Sequence, residues 1–455
     1  MKPTIKVIGA GLAGCEAAWR AANFGCRVEL LEMKPLKRTP AHRSDLFGEL
    51  VCSNSLRSNV ISNAAGLLKE ELKRCHSLVM EAAMASEVPA GSALAVDREL
   101  FASYITDKIR SHPDIFVSEG EAVRFDGTDV TVVSTGPLTS EALSAFIAER
   151  LGGEGFHFYD AAAPIVDAAS VDMEKAFLQS RYDKGEASYL NCPMNEEEYR
   201  AFWEALTTAR QAVLHDFENP KVFEGCMPVE VMARRGYETL LYGPLKPVGL
   251  RDPRTGREPF AVVQLRMENF RASMYNLVGF QTNLVFDEQK RVFGMIPGLE
   301  KAVFLRYGVM HRNTFIDSPR HLCADYSLRA DRNIFFAGQM TGVEGYIESA
   351  ASGLAAGYAA AARACGREAL DFPDITVIGS MAHYISDPNV TDFQPMNANF
   401  GLVRPLEKRV KGGKRAKNEA LAARSLEWFD AHDAALNGCC ESITTEGDAE
   451  NENHN

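Results

Sequence analysis

The sequence predicts an α/β fold: a Rossmann-type nucleotide-binding domain with a smaller α/β domain inserted into it. Three observations carry the prediction. The chain opens as strand, glycine turn, helix and strand, in "TIKVIG", "AGLAGCEAAWRAANFG" and "CRVELLE". A second strand, glycine-rich turn and small-residue helix, "RNIFFAGQMTGVEGYIESAASGLAAGYAAAAR", comes only late in the chain. Between the two the texture changes: "NCPMNEEEYRAFWEALTTARQA" reads as a separate helical piece, and the Pro- and Gly-rich stretch from Phe223 to Pro259 as short irregular elements.

Gly9, Gly11 and Gly14 form GxGxxG at the first strand-to-helix turn. In such a turn the first glycine permits the sharp bend, the second lets the backbone approach a pyrophosphate, and the third lets helix and strand pack closely. The phosphates then meet the helix N-terminus, where N–H groups without intrahelical partners and the helix dipole favour anions. The run Gly9, Ala10, Gly11, Leu12, Ala13 and Gly14 is the expected phosphate cradle. Glu32 ends the second strand, eighteen positions after Gly14, where a carboxylate accepts from a ribose hydroxyl and disfavours a 2′-phosphate. That selects FAD or NAD over NADP. The segment Leu67 to Met84 has a helical pattern. "RFDGTDVTVVSTGPLTSEALSAFIAERL" reads as a hairpin, a strand ending at Thr135 and Gly136, and a helix. The late turn, with Gly338 and Gly345, opens a helix whose small residues suit close packing against a large flat ligand. Its N-terminus would face the pyrimidine edge of an isoalloxazine, where charge builds on reduction. A plain NAD dehydrogenase has no need of this second element, so the pair favours FAD. The expected domains are 1–190 for the first part of the FAD-binding domain, 191–325 for the insertion, 326–440 for the second part with a basic C-terminal segment, and 441–455 for a disordered acidic tail.

The chain, at 455 residues, is long enough for roughly two or three domains. With 46% hydrophobic and 24% charged residues its composition is that of an ordinary globular protein, and no apolar run approaches a membrane span. The N-terminus enters a strand directly, without the layout of a secretion signal. Ten scattered cysteines with no CxxC pair read as reduced thiols in a cytoplasm and offer no zinc site. The net charge of −12 argues against a protein basic all over, yet nucleic-acid binding needs only a local patch. The stretch Arg404 to Arg424 supplies one, with eight Lys or Arg against two Glu; taken alone it reads as a solvated helix face. Cys52, in "LVCSNSLRSN", and Cys226, in "EGCMPVEV", are ambiguous by residue type, because a lone cysteine is most often a small buried hydrophobe. Gly225 and Pro228 flank Cys226, and Pro228 keeps Met227 out of the helical region, which suits an exposed loop thiol. Cys15 and Cys26, inside the first β-α-β unit, read as core.

Longer strings are more specific than the glycine motifs: "KVIGAGLAGCEAAW", "LVCSNSLRSN", "FEGCMPVEVMARRGYETLLYGPLKPVGL", "VVQLRMEN", "YNLVGFQTNL", "GVMHRNTFI", "FAGQMTGVEGYIESAASG" and "GSMAHYISDP". On these the chain closely resembles the bacterial folate- and FAD-dependent tRNA (uracil-5-)-methyltransferases, over nearly everything except the acidic tail. The resemblance implies a GidA-like flavoprotein fold and C5-methylation of the T-loop uridine, position 54, of tRNA. It implies FAD as cofactor, methylenetetrahydrofolate as carbon donor, and NADH or NADPH as reductant. tRNA and folate are the expected partners; a membrane or a partner protein is not.

That chemistry asks for a thiolate that adds to uracil C6 and a base that removes the C5 hydrogen. By resemblance Cys226 matches the family's nucleophile and Cys52 its partner, the acid/base near the flavin. A free thiol has a pKa of about 8.5, so nearby cations would help; Arg57 is close in sequence to Cys52, and Lys221, Arg234 and Arg235 to Cys226. The resemblance places His311 where its imidazole stacks on the pterin ring opposite the flavin, and Arg312 where it meets a carboxylate tail. Glu344 and Glu348 read either as stabilisers of a helix N-terminus or as ligand contacts. The basic run and "MARRG" become candidate phosphate contacts for an RNA whose uridine must be drawn out of its fold. Tyr275, Phe280 and Tyr346 are aromatics available for stacking, although core packing is their commoner use. Three other functions compete: the same chemistry on ribosomal RNA, the related flavoprotein that modifies the tRNA wobble uridine, and a small-molecule flavin oxidoreductase without an RNA role.

Overall fold

A computed structural model describes residues 2–39, 41–152, 156–161, 163–183, 187–212, 227–390 and 393–438. Five parallel strands form the first sheet, in the order Ile334–Phe336, Val130–Val133, Thr4–Ile8, Arg27–Glu32 and Ile115–Glu119. Thr4–Ile8 is its middle strand, with Ile5 and Val7 fully buried, as expected where helices cover both faces of a parallel sheet. The early and late parts of the sequence thus meet in one sheet, and the strands preceding both glycine turns run in the same direction.

The first helix, Leu12–Asn23, lies against the late helix, Tyr346–Ala364. A Cβ on Gly353 would come within 2.2 Å of the Ala13 carbonyl oxygen, and one on Gly357 within 2.6 Å of the Ala17 Cα. Gly353 and Gly357 of the late helix therefore serve contact between two helix backbones, a use of its small residues that the sequence does not suggest. Bare backbone on one face brings the helices closer than side chains would allow.

The expected hairpin before Thr135 does not form. Only Val130–Val133 is a strand, and it is paired in parallel on both sides, with Thr4–Ile8 and Ile334–Phe336. A strand with both edges occupied has no place for a hairpin partner. The helical stretch around Leu67–Met84 is two helices, Ala64–Arg74 and Leu78–Ala85, parted at His76, whose φ is +53°, and Ser77, whose hydroxyl caps the second.

The second sheet is antiparallel, with six strands in the order Phe177–Leu178, Tyr189–Met194, Ala261–Met267, Met274–Leu277, Ile165–Asp167 and Phe304–Arg306. Helix Glu196–Thr208 packs Tyr199, Phe202 and Leu206 into its core. Phe156–Ala161 and Met310–Phe315 pair as a two-stranded ribbon joining this unit to the first. The strands of the inserted sheet thus run from Ile165 to Arg306 in sequence, whereas the sequence pattern puts the start of the insertion at 191, inside strand Tyr189–Met194. Ile165–Asp167 has only three residues, too few for a readable alternation. A small antiparallel sheet, in the order Ser55–Ser58, Ala93–Val96 and Glu87–Val88, completes the fold.

Candidate active site

The first glycine turn has the geometry its spacing implies. Gly9 has φ +98°, and a Cβ there would lie 2.9 Å from the Ser134 carbonyl oxygen; a Cβ on Gly14 would lie 1.7 Å from the Gly9 oxygen. A Cβ on Gly11 would meet nothing within 4 Å, so this position opens onto free space. Gly11 begins the first helix, and no side chain caps it, which leaves the N–H groups of its first turn for an anion. Leu12 and Ala13 have buried side chains, so only their backbone faces this opening. Glu32 is buried, accepting from the Ala10 N–H at 2.6 Å and the Lys34 N–H at 3.0 Å. Each carboxylate oxygen has further lone pairs for a ribose hydroxyl. Gly9, Ala10, Gly11, Glu32, Thr135 and Thr139 line a narrow cleft of about 80 Å³ at this end of the sheet. A larger hollow of about 530 Å³ lies at the other end of the first helix, between Trp19 and Met84, away from both glycine turns.

The second glycine turn sits beside the first. Gly338, at φ +85°, donates its N–H to Ser352 Oγ at 2.7 Å, and a Cβ there would come within 3.1 Å of the Ala13 Cβ. Gly345, at φ +126°, begins the late helix, again with no side-chain cap. The donor set of these two turns fits FAD: an uncapped helix start with a bare glycine for the pyrophosphate, an acid for a ribose, and a second uncapped helix start beside them.

Glu344 and Glu348 are buried and tied to protein. Glu344 accepts from Gln339 Nε2 at 2.5 Å. Glu348 accepts from the Ala398 N–H at 3.1 Å and from Arg57 at 3.2 Å. Arg57, expected to assist Cys52, is thus held by Glu348.

The Cys52 stretch is fastened from four directions. The hydroxyl of Tyr346, in the first turn of the late helix, accepts from the N–H groups of Cys52 and Ser53 at 2.7 and 3.1 Å. Burial, and then the Cys52 sulfur beside it, push this phenol well above its usual pKa, so it stays neutral. Arg98, at the start of helix Arg98–Ser111, donates to the carbonyls of Leu50 and Cys52 at 2.8 and 3.2 Å, and pairs through two bonds with Glu268 of the inserted domain. Arg306, on the inserted sheet's edge strand, donates to the Val51 carbonyl. Asn54, fully buried, donates to the carbonyls of Val96 and Met267 and accepts from Arg266 at 2.9 Å. The stretch therefore joins the late helix to the inserted domain, and two guanidinium groups converge on the backbone around the thiol-bearing residue. Cys52 itself is half-buried, whereas Cys15 and Cys26 have no exposure.

Cys226 and Lys221 lie outside the described residues, as do the side chains of His311 and Arg312. The described residues flanking Cys226 share one anchor. Glu230, fully buried, accepts from the Asn283 N–H at 2.8 Å and from Thr282 Oγ1 at 2.9 Å. Asn283 also bonds Ala212 in both directions: it donates from Nδ2 at 3.1 Å, and its carbonyl accepts from the Ala212 N–H at 2.8 Å. Residues on both sides of the segment are thus tied to the "QTNL" stretch that follows strand Met274–Leu277. Arg234 and Arg235 are exposed, and Arg234 donates to the Thr207 carbonyl. Of the aromatics considered for stacking, Tyr275 and Phe280 are core residues at 8% and 0% exposure. Arg98, Glu268 and Arg306 were not singled out by the sequence, since each lies far along the chain from the thiol it approaches.

Fold and cradle define an FAD-binding flavoprotein, and the comparisons agree. The family model for glucose inhibited division protein A matches residues 4–368. The structure of Aquifex aeolicus GidA superposes with a TM-score of 0.69, covering 95% of this chain and 74% of that one at 17% identity, a likeness of fold. Curated relatives named methylenetetrahydrofolate--tRNA-(uracil-5-)-methyltransferase TrmFO are far more similar. The one from Lactobacillus delbrueckii is 57% identical over 94% of this chain and 97% of its own length, and the one from Heliobacterium modesticaldum 59% over 93% and 96%. The chain belongs to the TrmFO family.

Proposed function

We propose that this chain methylates C5 of the T-loop uridine, position 54, of tRNA. The carbon comes from methylenetetrahydrofolate, with FAD as the resident cofactor and NADH or NADPH as the reductant. The observation that carries the reading is identity of 57% to TrmFO proteins over 94% of the chain. The cradle of Gly9, Gly11 and Gly14 would hold the FAD pyrophosphate and Glu32 its ribose, and the uncapped helix start at Gly345 would favour the charge that builds on a reduced flavin. FAD, when bound, supplies the reducing equivalents that turn a methylene into a methyl group.

The residues of the chain supply the rest. The Cys226 thiolate adds to uracil C6, and the electron pair displaced onto C5 and O4 makes C5 nucleophilic toward the one-carbon unit. Cys52 takes the C5 proton, and the C6–S bond then breaks to restore the ring and free Cys226. Placement of Cys52 beside Tyr346 and the two arginines supports this assignment, because a proton acceptor must be held at a fixed distance from the ring it serves. His311 stacks on the pterin and Arg312 meets the folate carboxylate. tRNA, folate and nicotinamide share the cytoplasm, which is where the enzyme works.

The test is the source of the carbon. Purified protein, tRNA transcript and NADH are incubated with methylenetetrahydrofolate labelled at its methylene, or with labelled S-adenosylmethionine. Label in 5-methyluridine from the folate alone is the expected result. Label from S-adenosylmethionine, or none from either with FAD bound, would overturn the reading.

A further inference from the structure

Three aromatic rings lie in near-parallel layers at the edge of the inserted sheet. Tyr307 stacks on Phe286, with centroids 4.7 Å and planes 19° apart, and on Phe304 at 5.3 Å and 11°. Phe304 leans on the fully buried Phe293 at 6.4 Å, so the column is rooted in the inserted domain's core. Its outer ring, Phe286, is 53% exposed. Gln289, itself fully buried, locks the two turns that carry the column. Its Nε2 donates to the carbonyls of Leu284 and Gly308 at 2.7 and 2.8 Å, and its Oε1 accepts from the Gly308 N–H at 2.8 Å.

The column is joined along the chain to the anchors of the Cys52 stretch and of the described residues on either side of the Cys226 segment. One residue before Tyr307, Arg306 holds the Val51 carbonyl beside Cys52. A few residues before Phe286, Thr282 and Asn283 anchor the flanks of the Cys226 segment. Cations lie on and against the helix that Phe286 begins, Phe286–Phe293: the Arg210 and Arg291 side chains are 70% and 51% exposed and share the single carboxylate of Glu288, and Lys290 is exposed on the same helix. Three positive charges against Asp287 and Glu288 leave a local excess of the sign that phosphates need. An isolated exposed phenylalanine needs no explanation; one that ends a rigid aromatic column beside such cations has the makings of a stacking surface.

We propose that Phe286 is a platform on which an unstacked base of the RNA substrate, close to the methylated uridine, lays its ring. The inference rests on the tRNA reading above. Drawing a uridine out of the T-loop breaks its stacking and that of its neighbour. A ring in a column already ordered by Tyr307 takes up an unstacked base with little further ordering, and any of the four bases offers it a π face.

The test uses the FAD-loaded protein and an unmodified tRNA transcript, some copies carrying 2-aminopurine next to the target uridine. Binding is read by fluorescence anisotropy for wild type, Phe286→Ala and Phe286→Trp, with the flavin absorption spectrum and sedimentation as controls of fold and assembly. Phe286→Ala is expected to weaken binding about tenfold and to abolish a 2-aminopurine quench that wild type and Phe286→Trp both show. Binding by Phe286→Ala within about twofold of wild type, with the same quench, would overturn the platform while leaving the methyltransferase reading intact. Conversion of a dimer to a monomer by Phe286→Ala would assign this face to a second copy and overturn it also. Failure of wild type itself to bind tRNA would sink the functional reading and the platform together.

Discussion

Replacing Glu268 by alanine removes one half of a pair that joins two domains at the Cys52 stretch. The Glu268 side chain is 2% exposed and that of Arg98 18%, with the carboxylate on Nε at 2.7 Å and on Nη2 at 3.2 Å. Breaking a buried pair on one side leaves a charge without its counter-ion, which costs about 3–5 kcal/mol. Arg98 keeps its bonds to the carbonyls of Leu50 and Cys52 and some exposure to water, so the lower end, about 3 kcal/mol, is expected. Glu268→Gln keeps one acceptor and loses only the charge, for about 1.5–2 kcal/mol. The double variant Arg98→Met with Glu268→Leu removes both charges but also takes the donor from the Leu50 and Cys52 carbonyls, so it is expected to cost at least as much as Glu268→Ala. Urea denaturation of the FAD-loaded protein, followed by flavin and tryptophan fluorescence, measures all three. A loss under about 1 kcal/mol for Glu268→Ala, or a Glu268→Gln variant as unstable as Glu268→Ala, would refute the claim that this pair welds the domains.

Other perturbations have readouts of their own. Gly353→Val drives side-chain carbons into the Ala13 carbonyl, which a Cβ would already approach to 2.2 Å; the helices separate, the adjoining turns move, and flavin absorption of the purified protein should fall to a small fraction of wild type. Burial lifts the Glu16 and Glu71 carboxyls to about 7, above the ~4.3 of an unfolded chain. Their stabilising share is complete below pH ~4 and is lost as pH rises through about 7, with a slope of up to ~1.4 kcal/mol per pH unit for each group. Urea midpoints of Glu71→Gln should therefore fall less steeply than those of wild type from pH 5 to 7, and parallel curves would count against it. Lys408, Arg409, Lys411, Lys414, Arg415 and Lys417 are exposed around the start of helix Gly413–Ala431. Replacing Lys411, Lys414 and Lys417 by Gln should reduce the salt dependence of tRNA binding by ~0.7–0.9 in log–log slope for each phosphate left without its cation, and an unchanged slope would return this run to a solvated helix face.

The parts of the fold that can be read in the sequence are those built from local signals. Gly9, Gly11 and Gly14 lie within one turn that admits few residue types, and Glu32 ends the very next strand, so their geometry follows from a single β-α-β unit. The late helix is legible as a helix, but its partner is not: only the packed structure tells whether Gly353 and Gly357 approach a ligand or the first helix. The start of the inserted sheet escapes the sequence pattern because Ile165–Asp167 takes its strand character from Met274–Leu277 and Phe304–Arg306, more than a hundred residues on. Arg57 is the natural neighbour for Cys52 by sequence, yet it turns toward Glu348, while Arg98 reaches the Cys52 carbonyl from 46 residues away and Arg306 the Val51 carbonyl from 255. Long-range pairing of charged side chains leaves no trace in local pattern. Tyr346 is by sequence a ring available for stacking, and its hydroxyl instead fixes the Cys52 backbone.

The central claim is that the chain makes 5-methyluridine with its thiols at an FAD site, and one measurement tests it most directly. The FAD-loaded wild type, Cys226→Ala and Cys52→Ala are each given methylenetetrahydrofolate, NADH and unmodified tRNA, and the RNA is digested and read by mass spectrometry. Wild type should yield 5-methyluridine at the T-loop position, with Cys226→Ala giving none and Cys52→Ala at most a trace. Full product from Cys226→Ala would contradict the account, as would a wild type that binds FAD, oxidises NADH and leaves the uridine unmethylated.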